Sequence, residues 1–260
     1  MSGFVTAVRT LSSVPIPGRD ADSLSMSLLW FPLVGALLGA LWAGAGVLFS
    51  FVFDGWPMLI ALLVLMLQSA MTGAMHLDGI ADAADALFSM TSREKKLAIM
   101  KDSTLGTFGV LTLIFVLALK WTLLFKLVAA GQLILLVVVI AVARTAQVEL
   151  AVTMSYARSG EGTGKAFVTD ATFVHRLGAW LLALVLAAAF GPLAIGSVLL
   201  AMLTCMGLRR LYDRRIGGIT GDLLGATSEC VELVILLWFC GFIHQGKWID
   251  WPWHLWEVVL

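Results

Sequence analysis

Residues 28–53, LLWFPLVGALLGALWAGAGVLFSFVF, contain no charged side chain from end to end. About 20 apolar residues in a helix cross the hydrocarbon core of a bilayer, so this stretch is long enough to span it. Over the whole chain, hydropathy predicts an all-α integral membrane bundle of about seven spanning helices. The predicted spans are residues 28–53, 57–75, 104–127, 132–155, 174–190, 192–208 and 229–245. We expect the second to continue as a helix to about Ser89 and to emerge towards the headgroups.

The composition supports this class. Hydrophobic residues make up 60% of the chain and charged residues 13%, whereas soluble domains are about half apolar and about a quarter charged. A net charge of zero excludes the basic surface by which nucleic acids are bound. We find no repeat or linker, which predicts one membrane-embedded domain over residues 1–260.

The Lys and Arg residues predict the orientation. Thirteen of the 17 lie in the N-terminal segment or in the loops after the second, fourth and sixth spans. The positive-inside rule then places the N-terminus in the cytoplasm and, with seven spans, the C-terminus outside. Four tryptophans would form an aromatic belt at the outer face: Trp248, Trp251, Trp253 and Trp256.

The segment TGAMHLDGIADAAD, residues 72–85, carries three carboxylates. Asp78, Asp82 and Asp85 are spaced i, i+4 and i+7, so on a helix they lie within roughly 60° of one another. Like charges at this spacing repel, which favours a bound cation. An oxygen-only ligand set selects Mg²⁺, Mn²⁺ or Ca²⁺ over zinc. The alternative is a solvated or ion-paired helix end. His76 would point to nearly the opposite side of a continuous helix, as either a packing residue or a substrate-binding residue.

A second acidic segment is GGITGDLLGATSE, residues 217–229. Its glycines recur every four residues, a spacing that allows close helix contact. Asp222 and Glu229 share a face and could complete a metal site begun by the first aspartates. A glycine-rich turn followed by a capped helix would explain the same residues.

Other polar residues leave two interpretations open. Lys101 at a helix start could hold phosphate oxygens, whereas Asp102 and Ser103 are also ordinary N-cap residues for the third span. Arg144 and Glu149 lie inside the fourth span, where pairing with other helices is favoured over catalysis. Carboxylates for a metal and cations for phosphate together predict metal-assisted phosphoryl-type transfer.

Three motifs in order resemble the cobalamin synthase family, also called adenosylcobinamide-GDP ribazoletransferase. They are GAMHLDGIADAAD at 73–85, IMKDSTLGTFG at 99–109 and GITGDLLGATSE at 218–229. The resemblance covers essentially the whole chain, but residues 12–17, SSVPIP, depart from the arginine-containing stretch that is usual in the family.

The resemblance implies a reaction. The 3′-hydroxyl of α-ribazole, or of its 5′-phosphate, attacks the phosphate that carries adenosylcobinamide in adenosylcobinamide-GDP. GMP leaves, and adenosylcobalamin or its 5′-phosphate forms with Mg²⁺ as cofactor. We expect a multi-pass protein of the bacterial cytoplasmic (inner) membrane, with the site facing the cytoplasm. A homo-oligomer is compatible with the sequence.

The resemblance also suggests roles for individual residues. Asp78, Asp82 and Asp85, with Asp222 and Glu229, would hold Mg²⁺ and supply the base. A further set would bind substrate: His76, Lys101, Asp102, Ser103, Arg209, Arg210 and Thr220.

Two rivals remain. A CDP-alcohol phosphatidyltransferase also uses helix-borne aspartates, but its Ala-Arg and second aspartate pair are missing here. A cation-coupled transporter would need acids near the bilayer midplane and often repeated halves.

Overall fold

The computed structural model describes residues 2–159 and 163–245, and the helices follow one another with short connections. They are α1 (Ser2–Leu11), a 3₁₀ turn at Leu24–Trp30, α2 (Phe31–Val52), α3 (Pro57–Met71), α4 (Met75–Phe88), α5 (Arg93–Ile99), α6 (Thr107–Ala129), a 3₁₀ turn at Leu133–Leu135, α7 (Leu136–Thr153), α8 (Thr163–Thr169), α9 (Phe173–Ala188), α10 (Pro192–Arg215) and α11 (Gly221–His244). The predicted tryptophan belt and outer C-terminus lie beyond the described residues.

The helical membrane fold is confirmed. Within the described ranges, five helices are long and apolar enough to cross a membrane, or six if the bent pair α3 and α4 counts as one span. The remaining predicted span coincides with α9, which is apolar but has only 16 residues. An isolated bridge between Tyr156 and Ile219 is the one β-type pairing in this part of the chain.

The second predicted span does not continue to Ser89, so that prediction is wrong. The helix stops at Met71, turns by 85° and resumes at Met75. Gly73 and Ala74 adopt φ values of 59° and 54°, which are left-handed conformations that end a helix. Helix α4 therefore runs across the direction of α3.

Helix α7 lies in the middle of the bundle, where nearly all of its residues are buried. It packs most extensively against α2 and also against α11. The approach to α2 is close because Gly35 leaves room: a Cβ there would stand 2.8 Å from the Ile140 carbonyl oxygen.

Helices α4 and α11 cross just as closely. A Cβ on Gly79 would stand 2.7 Å from the Asp222 carbonyl oxygen, and one on Gly225 would stand 3.4 Å from the His76 Cα. The close helix contact predicted from the glycine spacing of 217–229 is thus confirmed at Gly225.

Buried charges join α6, α7 and α11. The Lys120 Nζ lies 3.0 Å from Glu229 and 2.8 Å from Glu232, and Arg144 donates to the Ser228 hydroxyl. These five side chains belong to the apolar interior, where an unpaired charge is costly. The structural role predicted for Arg144 is confirmed. Glu149 likewise accepts from Arg176 and Trp180 of α9, at 2.6 and 2.7 Å.

We predict that Gly79→Ala lowers the free energy of unfolding by about 1–3 kcal/mol, the usual cost of overpacking. The new methyl group would collide with the α11 backbone. Thermal unfolding in detergent measures this. Gly44→Ala is the control, because a Cβ there meets nothing within 4 Å; equal destabilisation of both variants would contradict the close crossing.

We predict that Lys120→Met destabilises the protein by about 3–5 kcal/mol, because it leaves the buried Glu229 and Glu232 with a single opposing cation, Arg144. Lys126→Met, in the last turn of the same helix, should have little effect in the same unfolding assay. Further replacement of Glu232 alone by Gln should restore much of the loss, because Glu229 then keeps Arg144 as its opposing charge. A wild-type unfolding temperature for Lys120→Met would overturn the proposed pairing.

Candidate active site

The aspartates of α4 stand on the face that the core leaves uncovered. His76, Gly79, Ile80 and Ala83 are buried on the packed side, whereas Asp78 is exposed and Asp82 is half-buried. The helical spacing of the aspartates therefore turns their carboxylates away from the core.

The first turn of α11 brings Asp222 to this face. Its N-cap is Thr220, whose hydroxyl accepts from the Leu223 N–H at 3.2 Å and donates to Asp222 at 3.3 Å. Sequence analysis assigned Thr220 to substrate binding, whereas its hydroxyl in the structure serves the helix start. The glycine-containing turn and capped helix offered as the alternative for 217–229 are confirmed, and they carry the Asp222 carboxylate.

Asp78, Asp82 and Asp222 form a crowded acidic group, which we call the carboxylate cluster. Asp78, Asp222 and Asp85 all repel the charge on Asp82, and Arg158 is the cation that opposes them. Arg158 donates to Asp222 at 2.7 Å and to the Met100 carbonyl oxygen at 3.2 Å. One cation among these acids leaves the cluster negative.

Arg158 is not among the site residues predicted from the sequence, where it is counted with the basic residues of the loop after the fourth span. Its Nε is buried and has no hydrogen-bond partner in the part of the chain that the structure describes. An arginine fixed by an aspartate and with a spare N–H is suited to bind a phosphate oxygen. Nothing local in the sequence marks it, because its partner Asp222 is distant along the chain.

Asp85 is engaged at the start of α6. Its two oxygens accept from the Gly106 and Gly109 N–H groups at 2.7 and 2.8 Å. The first N–H groups of a helix have no partner within the helix. The N-cap residue of α6, Gly106, has no side chain that could accept from them. Asp85 thus fixes the 101–109 segment against α4.

Asp102 and Ser103 do not cap the third span, so that alternative is wrong: the N-cap position is Gly106. Asp102 is exposed and accepts from the Thr104 N–H and hydroxyl at 3.0 and 2.8 Å. These hydrogen bonds hold the pKa of Asp102 below its ordinary value. Lys101 is also exposed, and it lies between the end of α5 and the start of α6.

The structure does not bring every predicted residue to the cluster. Glu229 is buried and paired with Lys120, two turns or about 10 Å along α11 from Asp222. Arg209 and Arg210 are exposed on α10, where Arg209 lies 3.8 Å from Asp213. His76 is buried behind the aspartates, as its spacing predicted, and its Nδ1 has no partner among the described side chains.

The donor chemistry of the cluster fits a hard divalent cation, since every ligand is an oxygen and the net charge is negative. Among residues 2–159 and 163–245, no three His, Cys, Asp or Glu side chains converge into a group that could hold a metal ion. Mg²⁺ characteristically binds one or two carboxylates together with substrate phosphates. The residues therefore fit a metal shared with a phosphate.

Comparisons with known proteins agree with one another. A family model described as cobalamin-5-phosphate synthase matches residues 3–240. Adenosylcobinamide-GDP ribazoletransferase of Chlorobaculum parvum is 44% identical over 92% of this chain and 94% of its own. The enzyme of that name from Chlorobaculum tepidum is 43% identical over 93% and 97%, and that from Pseudomonas fluorescens is 39% identical over 89% and 96%. No solved structure matches. The chain belongs to the cobalamin-5-phosphate synthase family.

Proposed function

We propose that this protein transfers the adenosylcobinamide-phosphate group of adenosylcobinamide-GDP to α-ribazole or its 5′-phosphate and releases GMP. Relatives that match this chain over nearly their whole length are named after this reaction. The observation that carries the proposal is the carboxylate cluster beside Arg158. It combines groups for a metal with a donor for phosphate. The family match favours neither a phosphatidyltransferase nor a transporter.

We assign Mg²⁺ to one or two carboxylates of the carboxylate cluster, Asp78, Asp82 and Asp222, together with the phosphates of the substrate. When bound, it would neutralise charge on the diphosphate and on the departing GMP. Sequence analysis also included Asp85 and Glu229 among the ligands. We leave them out of the proposed site because their oxygens are occupied by N–H groups of α6 and by Lys120.

The chain's own residues then have distinct tasks. Arg158, held by Asp222, donates to a phosphate oxygen through its unpartnered Nε. A carboxylate of the cluster takes the proton from the ribazole 3′-hydroxyl. The new P–O bond forms from that oxygen as the P–O bond to GMP breaks. Lys101 lies in the segment that Asp85 fixes, and it contacts the phosphate that leaves with GMP. The other predicted substrate contacts are Asp102, Ser103, Arg209 and Arg210.

We further propose that the site faces the cytoplasm from the inner membrane of a bacterium. The basic residues near it support this, since the segments around the cluster carry Arg93, Lys95, Lys101 and Arg158. A cytoplasmic site would also meet its charged substrates directly. A homo-oligomer remains a prediction.

We expect Asp82→Asn to lower kcat for GMP release at least about 100-fold, in the range of a lost acid–base or metal-binding group. The assay contains detergent-solubilised protein, adenosylcobinamide-GDP, α-ribazole and Mg²⁺, and release should require the last two. Asp54→Asn changes an exposed loop residue between α2 and α3 and serves as the control. Near-normal turnover by a folded Asp82→Asn protein would remove the aspartates from the mechanism.

Orientation can be tested separately by cysteine labelling. In spheroplasts, a membrane-impermeant maleimide should label the Asp54→Cys protein and leave the Arg19→Cys protein unlabelled until the membrane is broken. Both positions are exposed, while native Cys205 and Cys240 are buried. The wild-type protein reports any background from Cys230. The reverse pattern would place the N-terminus outside.

A further inference from the structure

A cavity of about 350 Å³ lies beside the carboxylate cluster, between the N-terminal segment and helices α4, α7, α8 and α11. Its wall is mainly apolar and includes Leu28, Phe31, Phe167 and Leu224. The cavity shares two helices with the carboxylate cluster, but neither the carboxylates of that cluster nor Arg158 lines it.

Two residues of this wall each carry a buried polar atom. His76 and Gln147 both line the cavity and are only 3% and 5% exposed. The His76 Nδ1 and the Gln147 Oε1 are buried without a hydrogen-bond partner within the described structure. An unpaired buried polar atom costs about 1–3 kcal/mol. Two of them at one cavity indicate that a ligand supplies the missing partners.

The position of the cavity connects it to the reaction. Met75 and His76 contribute to its wall one turn before Asp78 on α4. Gly221 and Gly225 contribute from α11 on either side of Asp222 in sequence. The cavity therefore borders the same two helix segments that carry Asp78 and Asp222.

Size and polarity distinguish among the substrate parts. Ligand pockets span about 300–1,000 Å³, so this cavity holds a small bicyclic ring with part of a sugar and excludes a corrinoid. Guanine presents several donors and acceptors on one edge, whereas two unpaired protein atoms are available here. The base of α-ribazole is dimethylbenzimidazole. It is apolar around most of its edge and has a single ring nitrogen that is free to accept a hydrogen bond.

We propose that the cavity lined by His76 and Gln147 is the subsite for the base and ribose of α-ribazole. This rests on the proposed function and names the place of the acceptor substrate within it. The apolar ring packs among the leucine and phenylalanine side chains, and the sugar faces the carboxylate cluster. The corrinoid and the nucleotide stay outside the cavity.

The hydrogen bonds follow from the donors present. Gln147 Nε2 donates to the Leu224 carbonyl oxygen at 3.4 Å, which leaves Oε1 to accept from a ribose hydroxyl. An uncharged imidazole can carry its proton on Nδ1, so His76 donates to the free ring nitrogen of the base. Both unpaired atoms are thereby satisfied by one riboside.

The test separates the Michaelis constants of the two substrates. Gln147→Leu should raise KM for α-ribazole about 3- to 10-fold, the effect of one buried hydrogen bond. KM for adenosylcobinamide-GDP should stay within about twofold of wild type, since that substrate makes no contact with the cavity. Gln68→Leu is the matched control: Gln68 is also buried with both amide atoms unpartnered, but it lies away from the cavity. Equal changes in both constants, or none, would overturn the subsite.

A binding measurement does not depend on any variant. Equilibrium dialysis of α-ribazole with wild-type protein, without Mg²⁺ or corrinoid, should show saturable binding that free dimethylbenzimidazole displaces. Ala151→Phe, which places a ring in the cavity, should abolish it. Displacement by phospholipid with no effect of the base would assign the cavity to an acyl chain and sink the proposal. If wild type releases GMP but Gln147→Leu leaves KM for α-ribazole unchanged, the subsite fails and the function stands. If folded wild-type protein never releases GMP, the function itself fails.

Discussion

The site depends on the contact between the backbones of α4 and α11. Gly79 and Gly225 leave no side chain between the two helices, so Asp222 comes to lie beside the aspartate stripe of α4. A larger residue at Gly79 would collide with the Asp222 backbone and push the two helices apart. The same crossing forms one wall of the cavity, so the metal-binding and acceptor-binding regions share a single geometric cause.

A buried ion pair and a buried hydrogen bond hold α11 against α6 and α7. Lys120 ties α6 to two acids on α11, and Arg144 ties α7 to Ser228 one residue away from the nearer acid. Such pairs contribute little net stability, since desolvation offsets their attraction, but breaking one is costly. They therefore define how far α11 can slide or rotate. At the other end, Asp85 clamps α6 to α4.

Much of this could be predicted from sequence because hydropathy and helical period are local properties. Five of the seven predicted spans followed from hydropathy, and the stripe of Asp78 and Asp82 and the close contact at Gly225 followed from spacing. The break at Gly73–Ala74 did not, because hydropathy continues through it and Ala74 favours a helix. Nor did the roles of Arg158, Asp85 and Glu229, since each depends on a partner far away in sequence: Asp222, Gly106 and Lys120. Residue type alone suggested ligands, whereas tertiary contacts gave these side chains other partners.

The order of these elements along the chain has a consequence for biosynthesis. Asp78 and Asp82 leave the ribosome long before α11, which carries both Asp222 and the acids that neutralise Lys120. Until α11 inserts, the membrane holds a lysine without its partners and an aspartate helix without its packing surface. An incomplete chain thus exposes buried charge that insertion and quality-control machinery could recognise. Catalytic competence and release from quality control would therefore both follow the insertion of α11.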